Sequence, residues 1–485
     1  MPEPGAFRER LLLHARDRGG APALVGRDAV VSYGELPGAV EALAAALRSL
    51  GIARGATVAL TARREVDHML AVLALLDLGA SQVALASHDP RAMRERLAKR
   101  VGATVVLGDA AGDAVAGLPW IGLPAAFARA RSAPSGPRED AFGETSARLH
   151  FTGSGTTGDP KIVAYAPADL AAHASSYPSV AGHRVLRPAH VEYNNSKRTR
   201  LTTLWQGGTS VFSDGSTESL RGQCLRHDVS WLELSPLHGA DLVAACRAEG
   251  ALPGRVVVKI GGARVPIALR REIMRVAARQ LYVSYGTTET AYVSIAAPSM
   301  HDEREVVGPP DAHATVEILR RDGSRASPGE VGEILLRTPG MATGYAGDET
   351  ATRRHFREGG FMPGDLASFT PEGWLCLHGR VDDMMIMNSV NIFPAEIERV
   401  LESHPAVAAA AAFPIPSEIH GQIPVAAVEL HAGRGVDAAE LVAYARGQLG
   451  TRAPRRVEIV AALPRNPQGK VMRREIARRL ETTSD

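Results

Sequence analysis

Thr57-Val58-Ala59-Leu60 and Gln82-Val83-Ala84-Leu85 bracket residues 67–78, whose centre at 69–76 is among the most apolar stretches of the chain. The two four-residue runs read as buried strands and the segment between them as a helix. Outward from there the alternation continues. Ser32-Tyr33-Gly34-Glu35-Leu36 is β-like and leads into helical spacing over 40–50, while 91–100 is helical and 103–107 strand-like. Strands this short, alternating with helices, argue for a parallel sheet covered on both faces, so the expected class is α/β with layered sheets and helices. Residues 125–142, rich in Ala, Pro, Ser and Arg, read as an ordered linker or surface excursion.

The pattern changes further along. Residues 314–336 are strand–turn–strand, with turns at Arg321-Asp322-Gly323-Ser324 and Ser327-Pro328-Gly329, which predicts a smaller β-rich subdomain. A boundary falls at Gly379-Arg380-Val381-Asp382-Asp383. Beyond it come a helix at 394–402, strands at 407–413 and 424–430, a helix at 437–449 and a strand at 457–459. These make a small α+β module of about a hundred residues.

Composition removes several classes of function. Basic and acidic residues number 55 and 53, a formal charge of +2 that supplies no bulk attraction for nucleic acid or an anionic membrane. Three separated cysteines, Cys224, Cys246 and Cys376, offer no C-x-x-C pair. No apolar run is long enough to span a bilayer, and Met1-Pro2-Glu3-Pro4 does not begin a secretory signal, so a cytoplasmic protein is expected. Only five of the basic residues are lysines: Lys99, Lys161, Lys197, Lys259 and Lys470.

The densest chemical signal is Leu149-His150-Phe151-Thr152-Gly153-Ser154-Gly155-Thr156-Thr157-Gly158-Asp159-Pro160-Lys161. It satisfies G-x-G-x-x-G, but Asp159-Pro160 follows where a dinucleotide fold opens a helix. Nor is it a Walker A loop, since Asp159 stands where lysine should follow Gly158. What remains is a loop bearing the hydroxyls of Thr152, Ser154, Thr156 and Thr157 beside backbone N–H groups, with a cation three residues on, suited to wrapping a polyphosphate.

This loop resembles the phosphate-binding signature of the adenylate-forming superfamily of acyl- and aryl-CoA ligases, adenylation domains and luciferases. Four further segments match that family in order. Tyr285-Gly286-Thr287-Thr288-Glu289-Thr290 resembles Y-G-x-T-E, and Gly364-Asp365-Leu366 resembles T-G-D with Pro363 in the threonine's place. Gly379-Arg380-Val381-Asp382-Asp383 resembles the hinge, and Leu463-Pro464-Arg465-Asn466-Pro467-Gln468-Gly469-Lys470 the C-terminal lysine motif. The implied division is 1–379 for ATP and acid, a hinge at 380–382, and a mobile C-terminal domain at 383–485.

The resemblance implies that a carboxylate attacks MgATP to give acyl-AMP and pyrophosphate, after which the acyl group passes to a thiol of CoA or a carrier-protein pantetheine. Two anions meet at phosphorus, so catalysis is chiefly positioning and charge neutralisation. In that scheme Lys470 reaches the carboxylate and the α-phosphate, Thr288 donates to that phosphate, and Glu289 holds Mg²⁺. Thr152, Ser154, Gly155, Thr156, Thr157, Gly158 and Lys161 embrace the phosphates. Tyr285 with Gly286 meets adenine, Asp365 and Arg380 fix the ribose, and Asp382 is the pivot.

The acid pocket implied by the family lies in the stretch 190–200, in Gly261-Gly262-Ala263-Arg264 and at Ser284, with His190 as a wall and Asn194 and Lys197 beside it. No aspartate stands where amino-acid activators place one, which points to an aryl or small polar acid. Each of Glu192, Lys197, Arg198 and Arg200 more simply faces solvent. The family's Gly-rich acceptor loop is here Met387-Asn388-Ser389-Val390. That departure keeps a second acceptor open, a nitrogen nucleophile, as in an amide synthetase. Neither Lys99 nor Lys259 has a functional context in the sequence.

Overall fold

The computed structural model describes residues 6–132, 147–153, 160–213, 217–302, 304–387, 390–417, 421–466 and 471–481. In one sheet Thr57–Thr61 lies between Ser81–Ala84 and Val105–Gly108, all parallel, and Lys161–Tyr165 closes an edge antiparallel to Leu149–Gly153. The bracketed stretch is therefore a parallel crossover through the helix Glu65–Leu78. Every residue from Met69 to Leu78 is buried, as a helix apolar on all sides demands. Gly79, with φ +75°, caps it in the left-handed conformation.

The second sheet sets Arg184–Arg187, Trp231–Leu234, Val257–Gly261 and Gln280–Thr287 side by side and parallel, with Ala291–Ala296 as an antiparallel edge. The helix Asn194–Gln206 touches both sheets: Asn194 bonds Thr152 in the first, and Thr199 accepts from Arg187 in the second. All residues from Ser196 to Trp205 are buried. Lys197, Arg198 and Arg200 are thus taken out of water, which is rare without a structural or chemical return.

The β-rich unit is an antiparallel sheet of Thr315–Leu319, Gly332–Arg337, Asp365–Phe369 and Leu375–Arg380. Later residues form an α+β unit, with Val407–Ser417 antiparallel to Gly421–Leu430 under the helices Pro394–Glu402 and Ala438–Leu449. One large core runs from Phe7 to Cys376, and separate cores lie between Met385 and Ile476.

One expectation is corrected. Within 125–142 the chain does not run as a linker throughout: Leu123–Ser132 is a helix whose Leu123 and Ala126 join the main core. Its alanines favour that conformation, and an i, i+3 pair suffices to anchor it. The rest of that stretch is outside the described residues. No helix among the described residues is long and apolar enough to cross a membrane.

Candidate active site

A cavity of about 1200 Å³ opens at the carboxyl ends of the second sheet's parallel strands and is faced by residues of the last hundred. That end of an open parallel sheet is where such folds place ligands. Thr152, Lys161, Asn194, Gly261, Gly262, Ser284, Tyr285, Gly286, Thr288, Glu289, Asp365 and Arg380 all line it. From the C-terminal unit Asp383, Glu398, Glu402 and Arg473 face the same space. Ser154, Gly155, Thr156, Thr157, Gly158, Asn388, Ser389 and Lys470 lie outside the described residues.

The turn after Gln280–Thr287 is fixed from several sides. The Thr287 hydroxyl accepts from the N–H groups of Glu289 and Thr290 at 3.2 and 3.1 Å. Gly286 is required there, since a Cβ would lie 2.1 Å from the Ala291 carbonyl oxygen. The buried Glu289 carboxylate accepts from the Tyr345 hydroxyl at 2.8 Å through Oε1. Lys161 lies 4.9 Å over the Tyr345 ring and donates to His355 Nε2 at 2.9 Å. His355 can accept because its Nδ1 donates to the Met362 carbonyl at 2.8 Å. Burial lowers the Lys161 ammonium below its ordinary range, and Glu289 acts the other way.

Across the cavity, Asp365 and Arg380 are cross-strand partners, joined at 3.1 Å. The Tyr285 hydroxyl donates to the other Asp365 oxygen at 2.6 Å. Burial, then the Asp365 charge, hold that phenol well above its ordinary pKa. Gly364 precedes Asp365 at φ +84°, and a Cβ there would meet Arg380 Nη2 at 3.3 Å. Asp382 sits in the short turn Val381–Asp383, bonded by Arg354 at 3.3 Å and within 3.8 Å of Arg380.

The helix Asn194–Gln206 and the loop before it overturn several expectations. Glu192, Lys197, Arg198 and Arg200 do not face solvent; all are buried. Arg198 packs over the rings of Phe151 and Tyr165 and donates to the Thr287 and Thr288 carbonyls at 3.3 and 2.6 Å. It carries the turn bearing Glu289, a role its sequence context did not disclose. Arg200 bonds Glu65 and the Arg187 carbonyl. His190 is no cavity wall: it contacts the Arg63 carbonyl at 3.0 Å and pairs with Glu192, which accepts from Ser87. Lys197 is likewise absent from the cavity lining and sits buried, with Glu192 and His68 in its electrostatic field. One helix turn separates it from Asn194, which does reach the cavity. Arg264 lines the cavity but spends its guanidinium on Glu305 and Glu402 instead of serving as a simple pocket wall.

Four lining residues were missed. Tyr177, Arg187, Glu233 and Lys259 form a cluster in the cavity wall, with Glu233 and Lys259 buried and Tyr177 and Arg187 partly so. The available signal was a charge inside an apolar strand, at Trp231-Leu232-Glu233-Leu234 and Val257-Val258-Lys259-Ile260, where a parallel strand covered on both faces should be uniformly apolar. All three cysteines are free and buried, as core residues should be. Among the described residues no group of three His, Cys, Asp or Glu side chains could hold a metal alone. One buried carboxylate, Glu289, suits a Mg²⁺ that arrives on phosphates, since that ion takes one or two protein carboxylates beside them.

Residues 12–346 match the family model described as AMP-binding enzyme, and residues 396–470 match that of the AMP-binding enzyme C-terminal domain. The chain belongs to the AMP-binding enzyme family. This AMP-binding enzyme is 27% identical to the indoleacetate–CoA ligase of Aromatoleum aromaticum, with 96% of each chain covered. Its fold matches o-succinylbenzoate CoA synthetase from Bacillus subtilis, solved with its acyl-adenylate intermediate, at a TM-score of 0.84 and 25% identity over 98% of both chains. It also matches an amide bond synthetase from Marinactinospora thermotolerans, at 0.86 and 25% identity over 99% of this chain and 100% of that one.

Proposed function

We propose that this protein joins a small carboxylic acid, aryl or polar, to AMP with release of pyrophosphate, and then passes the acyl group to a thiol of CoA or carrier-protein pantetheine. The observation that carries this is the convergence of Lys161, Glu289, Asp365 and Arg380 on one cavity also faced by the C-terminal unit. ATP supplies the electrophilic α-phosphate and the leaving group, and Mg²⁺ offsets their charge. Asp365 and Arg380 hold the ribose hydroxyls, with Tyr285 and Gly286 beside the base. Thr152, the loop 154–158 and Lys161 surround the phosphates. Thr288 and Lys470 serve the reacting centre, and Glu289 holds the metal. The proposed division is 1–379, a hinge at 380–382 pivoting on Asp382, and 383–485. The relatives' names support the acid–thiol ligase class. A cytoplasmic setting, with ATP and reduced thiols, suits the buried free cysteines, and the near-neutral charge supplies no footing for nucleic acid or membrane.

The test is acid-dependent ATP–pyrophosphate exchange over aryl, short-chain and amino acids, with Lys470→Ala as control. Exchange with at least one acid, lost in that variant, is the expected result. No exchange with any acid, or full exchange without Lys470, overturns the reading. A second reading is favoured by Asn388-Ser389 in the acceptor loop and by the likeness to an amide bond synthetase: the acceptor is an amine. Product analysis with CoA and amines in competition separates the two.

A further inference from the structure

We infer that the acid accepted by this cavity carries a second, anionic group at the end remote from its reacting carboxylate, held by Lys259 and Arg187; this rests on the adenylation reading above. The register places the pair. Glu233, Lys259 and Tyr282 are cross-strand neighbours, and so are Gly261 and Ser284. Gly261 and Lys259 are two residues apart on one strand, hence on one face and about 7 Å apart along it. Below them on that face lie Trp231 and Val257, which pack with Val180, Val185, Tyr177 and Tyr282 as an apolar plug. The cavity wall therefore descends from a rim of Gly261 and Ser284 to a charged belt, and the plug closes it there.

The belt is not balanced. Arg187 and Lys259 face a single carboxylate, Glu233, which already has its fill of donors. Its Oε1 accepts from Trp231 at 2.9 Å and from the Tyr177 hydroxyl, and its Oε2 from Arg187 and Lys259 at 3.3 Å each. Burial would raise this carboxyl, but Lys259 and Arg187 hold it below its usual range, so it stays ionised. With Lys259 protonated one positive charge is left over, and burial, with Arg187 beside it, lowers that ammonium below its ordinary range against the pull of Glu233. Arg187 spends Nη1 on Thr199 and Glu233, and Lys259, which lies 4.7 Å over the Tyr177 ring, uses two of its three protons, on the Tyr177 hydroxyl at 2.7 Å and on Glu233. A buried cation that must share its one carboxylate with a second cation is incompletely compensated, which is unfavourable. A carboxylate, sulfonate or phosphate on the ligand supplies the missing charge and acceptors.

The experiment compares matched acids of equal length, one member ending in a carboxylate, sulfonate or phosphate and the other in a methyl ester or methyl group. Pyrophosphate release and ligand-induced Tm shifts are measured for the wild type, Lys259→Met and Lys259→Arg. The wild type should prefer an anionic member by roughly ten- to hundredfold in kcat/KM, expressed mainly in KM. Lys259→Met should reverse that order and raise kcat/KM for the neutral member, while Lys259→Arg restores part of it. Which terminus is favoured identifies the oxyanion. Wild-type preference for neutral acids, or equal losses for both members in Lys259→Met, overturns the inference. If no acid releases pyrophosphate but anionic acids alone stabilise the wild type and not Lys259→Met, the adenylation reading falls and this one stands.

Discussion

Arg264 donates through Nη1 to Glu402 at 2.7 Å while its Nε and Nη2 grip Glu305 at 2.8 and 3.0 Å. Glu305 belongs to the large core's part of the chain, and Glu402 ends a helix of the C-terminal unit. Arg399 approaches Glu305 from the same helix at 3.6 Å, and Arg473 holds Glu398 at 2.9 Å. Two guanidiniums therefore tie the two units across the cavity mouth, Arg264 with the shorter contacts and Arg399 with the longer.

Arg264→Met should loosen that contact, because it takes the cation from Glu402 and leaves Glu305 to Arg399 and the Ile267 N–H; breaking such buried pairs costs about 3–5 kcal/mol. Limited trypsin digestion should cut several-fold faster near Arg380, while melting of the large unit changes little. Unaltered cleavage would mean that other contacts hold the C-terminal unit in place.

Tyr285→Phe removes one hydrogen bond to Asp365 and keeps the ring. A bond to a charged acceptor is worth about 1.5–3 kcal/mol, so KM for ATP should rise ten- to hundredfold with kcat less affected. Asp365→Asn, which also loses the Arg380 ion pair, should be worse. A fall confined to kcat would place Tyr285 in the chemical step instead of nucleotide binding.

What was legible in the sequence followed local rules. Strands such as Thr57–Thr61 and the helix Glu65–Leu78 are dictated by apolar runs, and Gly286 and Gly364 by positions where a side chain would collide with backbone or with Arg380. The described motif residues Thr152, Lys161, Tyr285, Glu289, Asp365 and Arg380 line one cavity because each is tied to a strand end or turn. The helix Asn194–Gln206 was opaque for a physical reason. Its polar composition reads as a solvent face, yet it lies against both sheets, and its arginines bond carbonyls and carboxylates distant in sequence, such as Thr288 and Glu65. Pairing at that range leaves no periodic trace. Lys259 and Glu233 did leave one, as single charges inside apolar strands, but only the register shows that they face each other.

Glu289 and Tyr345 allow orientation to be separated from charge. Glu289→Gln keeps a hydrogen-bond acceptor for Tyr345 but removes the anion, so the Mg²⁺ concentration for half-maximal exchange should rise and the rate fall by about a hundredfold. Tyr345→Phe leaves the anion and frees its carboxylate to rotate, for which a loss of about tenfold with little change in Mg²⁺ demand is expected. Identical Mg²⁺ titrations for Glu289→Gln and wild type would remove Glu289 from the metal site.

Lys197 offers a pH-dependent test of how the central helix is buried. Burial pulls its ammonium from 10.5 down to about 7, with Glu192 acting the other way. Above roughly pH 10.5 the lysine is neutral in both folded and unfolded chains and contributes no pH dependence. As pH falls toward 7 the unfolded chain takes up a proton that the folded chain does not. Wild-type stability therefore drops across that window by up to ~1.4 kcal/mol per unit and levels off below it. Lys197→Met removes the proton uptake and fills a similar volume. Its Tm should exceed the wild type's by the largest margin at pH 6–7, and the margin should shrink steadily at pH 8, 9 and 10. A margin independent of pH would mean that Lys197 stays charged in the folded protein, paired with Glu192 despite its burial.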